Sequence, residues 1–105
     1  MITDETVEDA VDRLQDPEKA ARAYGYKIQA EKMLSVVKAL EMKKHQELPV
    51  SAQEREAYIS PEYKKHLDIL VNCEVLWQKK RMQVEADKAL LDVYRTQQAN
   101  MRGNI

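Results

Sequence analysis

Counting in sevens from Tyr63 lands on Leu70, Trp77, Val84 and Leu91 before reaching the polar Gln98. An apolar residue at every seventh position keeps one face of a helix apolar along its length and predicts packing against another helix. The companion column, His66, Cys73, Lys80, Asp87, Tyr94 and Met101, is poorer. Leu67, Ile69, Leu76 and Leu90 lie beside the stripe and widen it, the pattern of a bundled helix more than of a strict two-stranded coil. Upstream, Tyr24, Ile28, Met33, Val37 and Leu40 predict a second helix with these residues inward. Val7, Val11 and Leu14 predict a short third one, with Thr6 just before its start.

Punctuation sets the boundaries. In "DPE" at 16–18, Asp16 is a candidate N-cap and Pro17 takes the first helical position, where its missing N–H removes no bond the helix would make. This helix should fade near "KKHQELP", because Pro49 biases Leu48 out of helical geometry. "SPE" at 60–62 repeats the start signal and opens the longest element. Arg102 and then Gly103 form a natural stop, a cation in the last turn followed by a residue free to turn left-handed. Between the two long helices, Ser51 and Glu54 have capping-box spacing and predict one or two helical turns in a 46–60 connection. Gly25 falls inside the second helix, either as a tolerated weak spot or as a place of kinking or close backbone approach.

The predicted architecture is all-α: a long antiparallel helical hairpin (about 17–45 and 61–102) preceded by a short acidic helix over 1–16, in one domain of 105 residues. The last helix would span roughly 63 Å and its partner about 43 Å, leaving some 20 Å of stripe without a long neighbour. Either the acidic helix folds back over that stretch or a second copy covers it. The expectation is a homo-oligomer built through Tyr63, Leu70, Trp77, Val84 and Leu91.

Composition agrees and adds asymmetry. With two Gly, three Pro and no Phe, the chain favours helix. Its formal net charge is −1, yet residues 1–18 sum to −6 and the remainder to +5, so an acidic arm precedes a mildly basic body. Cys73 is the single cysteine, which excludes an intrachain disulfide and points to a reducing compartment, the cytoplasm. The start lacks the basic and apolar regions of a secretory signal. No run approaches the roughly 20 apolar residues that span a bilayer.

Little here is catalytic. Glu62, His66, Cys73 and Glu74 are spread along one helix, too far apart to meet a metal's need for three or four convergent ligands unless His45 or acids from elsewhere join them. No nucleophile elbow, phosphate-cradling glycine loop or paired-histidine motif is present, so the expectation is no enzyme, no cofactor and no metal. "WQKKRMQ" at 77–83 sets Trp77 beside Lys79, Lys80 and Arg81, a combination that single-strand binders use; Trp77 also belongs to the apolar column. Further along, Lys88, Tyr94, Arg95, Gln98 and Arg102 complete a candidate interaction surface, with Tyr and Arg favoured at interfaces.

"AYISPEYKKHLDIL", followed by a long polar helix ending in "YRTQQANMR", resembles small all-helical proteins of tailed bacteriophages, often encoded near recombination and single-strand-annealing genes. The shared pattern falls on Ala57, Tyr58, Ser60, Glu62, Tyr63, Tyr94, Arg95, Ala99 and Arg102, with Tyr94 standing where the group carries Trp. The resemblance covers roughly residues 20–103 and brings no established activity. It implies action in the cytoplasm of an infected bacterium. The resulting expectation is a self-associating, non-enzymatic interaction protein that assists phage DNA recombination or replication through its basic C-terminal helix, meeting a phage or host DNA-metabolism protein. The alternative is a direct single-stranded or duplex nucleic-acid binder. No membrane partner is expected.

Overall fold

A computed structural model describes residues 2–103. Four helices follow in order: α1 (Asp4–Gln15), α2 (Glu18–Lys43), α3 (Val50–Ile59) and α4 (Pro61–Gly103), with no strand among the described residues. The chain is all-α. It divides into two compact units, one comprising the chain up to Ala21 together with the chain from Gln78 onward, the other Arg22–Trp77.

Local chemistry explains most helix ends. Ser60 caps α4: its hydroxyl accepts the Tyr63 N–H at 3.1 Å and donates to the Ala57 carbonyl at 2.8 Å, satisfying one donor that the helix start leaves open. Asp16 accepts the Glu18 N–H at 3.3 Å. Four boundaries differ from expectation, and one is the start of α2, which opens at Glu18, one residue after Pro17. α1 begins at Asp4 because Thr3, ahead of Thr6, supplies the cap and accepts the Thr6 N–H at 3.2 Å. The 46–60 connection holds a ten-residue helix in place of one or two turns. Gly103 is itself the last helical residue and has no positive φ, so it does not act as a left-handed stop.

In the unit Arg22–Trp77, α2 meets the first part of α4 through an alternating three-four seam of Ala23, Lys27, Ala30, Leu34, Val37 and Glu41. Ala23, Ala30, Val37 and Glu41 are buried, and Lys27 and Leu34 half-buried. The buried apolar residues of this face are small, while Tyr63, Leu70 and Trp77 on α4 are half-buried. Tyr24 packs edge-on to Trp77 at 5.1 Å and Lys27 reaches Glu74 at 3.3 Å. α3 joins through buried Ala57, the edge-on pair Tyr58–Tyr63 at 5.3 Å, and Lys38, whose ammonium lies 4.8 Å from the Tyr58 ring centre and 3.7 Å from Glu54.

This seam corrects the expected inward set of α2. Val37 is buried and Ile28 half-buried, but Tyr24, Met33 and Leu40 are 47, 46 and 56 % exposed. On α4 the widening residues Leu67, Ile69 and Leu76 are also exposed; Leu90 alone of that set is half-buried. Gly25 sits in unbroken helix, and a methyl group there would meet nothing within 4 Å, which rules out a close approach. Gly25→Ala should therefore raise stability by about 0.5–1 kcal/mol, the intrinsic difference in an open helix, read as a higher urea midpoint at unchanged slope.

Candidate interaction surfaces

In the other unit α1 lies antiparallel along the last part of α4. Val7, Ala10, Val11 and Leu14 recur on one face of α1, with Ala10 fully buried, opposite Val84, Asp87, Leu91 and Tyr94. The two ends of this contact are polar. Tyr94 donates its hydroxyl hydrogen to Asp4 at 3.3 Å. Arg13 grips Asp87 with a two-pronged pair, Nε to Oδ2 at 2.9 Å and Nη2 to Oδ1 at 2.8 Å, and Gln83 adds its amide at 2.9 Å. Asp87 is 2 % exposed. The Arg13 guanidinium holds its carboxyl below the usual aspartate range, burial opposes this, and Gln83 reinforces it. A bidentate fork fixes geometry as well as charge, so the pair sets which residues of α1 meet which of α4.

This unit decides between the two ways of covering the surplus stripe. α1 folds back over it. The seam of Lys80, Val84, Asp87, Leu91, Tyr94 and Gln98 is half-buried or buried within one chain, so the length mismatch no longer calls for a second copy here. Of the companion column in this unit, Asp87 is buried and Tyr94 half-buried, both bonded from α1, while Met101 is exposed.

The predicted interaction residues separate accordingly. Lys80, Tyr94 and Gln98 are half-buried on the seam, whereas Lys79, Arg81, Lys88, Arg95 and Arg102 are exposed. Four of the exposed cations, Arg81, Lys88, Arg95 and Arg102, stand seven residues apart and share one face of α4. The Arg13–Asp87 pair lines an open groove of about 460 Å³, together with Lys19, Lys80, Lys88, Leu14, Pro17 and Val84.

A second surface belongs to the unit Arg22–Trp77. Tyr26, Met33 and Leu40, seven residues apart on α2, are 52, 46 and 56 % exposed. A groove of about 220 Å³ between Tyr26, Gln29, Ala30 and Met33 on α2 and His66 and Ile69 on α4 joins this stripe to the exposed Ile69. α2 thus carries two apolar faces, a small-residue one spent on its own chain and a large-residue one turned outward.

No family model, curated protein or solved structure matches the chain. Among the described residues no three His, Cys, Asp or Glu side chains gather as metal ligands would, and no helix is long and apolar enough to cross a membrane. Glu74 of the candidate ligand set is engaged by Lys27.

Sequence reasoning missed two features. The outer stripe was legible as Tyr26, Met33 and Leu40 in sevens, but the spacing alone does not say whether such a stripe faces in or out. The Arg13–Asp87 pair left a fainter trace: the one cation of the acidic arm, and an acid in a column that a coiled coil would fill with apolar residues.

Proposed function

We propose that this chain is a non-enzymatic, self-associating interaction protein whose long helices form an antiparallel hairpin and assemble with other copies into a helical bundle. The outward stripe of Tyr26, Met33 and Leu40 carries the reading. Single exposed apolar residues are ordinary, but large ones repeated in sevens present a seam that another helix of the same period fits. The make-up of the interior supports it: among the described residues the buried apolar side chains are four alanines and one valine, and no large side chain is fully buried. A catalytic role has poor support, since the perturbed carboxylate, Asp87, is held ionised in a fixed pair, unsuited to trading protons near neutral pH.

The setting we propose, phage DNA recombination or replication in an infected bacterial cytoplasm, rests on the resemblance of the 57–63 and 94–102 segments. There the exposed cations of α4, where no second copy covers them, would meet a DNA-metabolism protein. The same cations favour a second reading, direct nucleic-acid binding, which a filter-binding titration at two salt concentrations separates, because phosphate contacts make affinity fall steeply with salt.

The main reading is tested by Tyr26→Lys/Met33→Lys/Leu40→Lys. Its helical circular dichroism should match the native chain, since no fully buried position is altered, while its sedimentation coefficient should drop to the monomer value. Equal self-association of variant and native chain would refute the stripe as the contact.

A further inference from the structure

We infer that the acidic outer face of α1 in one copy docks along the cationic column of α4 in a second copy. The inference deepens the self-association reading and rests on it. Arg81, Lys88, Arg95 and Arg102 are all exposed and repeat at about 10.5 Å, seven residues of helical rise. Among the described residues Arg95 reaches only Asp92, one turn away on its own helix at 3.8 Å, with both side chains more than three-quarters exposed.

On α1, the face opposite Val7, Ala10 and Leu14 presents Glu5, Glu8, Asp9 and Asp12, with Asp16 just beyond the helix, all exposed. Glu5 and Asp12 are seven apart, as are Asp9 and Asp16, so the acids repeat with the same 10.5 Å step. The one cation of α1, Arg13, is committed to Asp87. Opposite charges of equal period therefore stand on two helices of one unit. They cannot neutralise each other within the chain, because α1 already lies on α4 through its apolar face and turns these acids outward. Lys88 lines the same groove as Asp12 and Asp16.

Charge also selects the occupant. This unit holds eight cations against ten acids, a net of −2. A polyanion can use the column alone and meets a unit of net negative charge, whereas a second copy offers an acidic helix to the column and a column to the acidic helix. Complementary patches of this kind fix partner and register more than they add affinity.

The test uses full-length chains with reversed charges: Arg81→Glu/Lys88→Glu/Arg95→Glu/Arg102→Glu, and Glu5→Lys/Asp9→Lys/Asp12→Lys. Alone, each should self-associate about tenfold or more weakly than the native chain, since single exposed pairs are weak but several like-charge contacts add. Mixed in equal amounts, the two should recover association to the native level. A native chain that associates, with either variant associating equally well or the mixture failing to recover, overturns this docking and leaves the apolar stripe standing. A native chain that is monomeric overturns both. Should a variant lose helicity, the native chain decides: its association must weaken from low to high salt, and an unchanged constant overturns the docking.

Discussion

Trp77→Ala is expected to cost about 3 kcal/mol, the lower end of the range for truncating a packed aromatic, because the indole is half-buried. Two losses combine. The side chain is the largest in the stripe of α4, and its edge-on contact with Tyr24 at 5.1 Å disappears, which contributes up to about 1 kcal/mol beyond area burial. A chain of this size has roughly 5–15 kcal/mol in total, and each kcal/mol lowers Tm by about 4–8 °C. Thermal unfolding should shift down by roughly 12 °C or more, with Tyr24→Ala showing a smaller drop. A Trp77→Ala shift within the scatter of surface variants would mean that the indole is not packed against Tyr24 of α2.

The second large effect belongs to Asp87. At neutral pH, Asp87→Asn should cost about 1.5–3 kcal/mol, the scale of hydrogen bonds to a charged partner, because Arg13 loses its counterion while the shape of the side chain is kept. The sign of the pH dependence follows from the depressed carboxyl. Stability from this pair is fully present above the unfolded aspartate value of about 4 and is lost as pH falls through the lower folded value. Denaturation midpoints of the native chain and Asp87→Asn should therefore be well separated at neutral pH and converge in acid. Replacing both partners, as in Arg13→Met/Asp87→Leu, should recover much of the loss, since a buried pair exchanged for apolar residues is often neutral. Parallel pH curves for native and Asn variants would show that Asp87 is not held ionised by Arg13.

How far the fold is legible in the sequence depends on the range over which each interaction acts. The starts at Asp16-Pro17 and Ser60-Pro61 are written within four residues; the second holds at Pro61, and the first opens one residue late, at Glu18. Thr6, closer to the apolar run, reads in the sequence as good a cap as Thr3, which supplies it. The inside of α2 departs from the pattern for a physical reason: apolar periodicity marks large residues, whereas Ala23 and Ala30 are buried and Tyr24, Met33 and Leu40 exposed, and spacing alone does not say which of two faces packs. Asp87 and Arg13 are 74 positions apart, and nothing local joins them. The candidate surface was legible as a set of residues but not as a partition, since only the packing of α1 shows which cations share the exposed column and which line the seam.

The central claim, that copies of this chain associate through faces left open by their own fold, is tested most directly by sedimentation equilibrium of the native chain across the micromolar range. The account predicts a mass that rises with concentration toward a whole multiple of 12.2 kDa. A single species of 12.2 kDa at every concentration would contradict it.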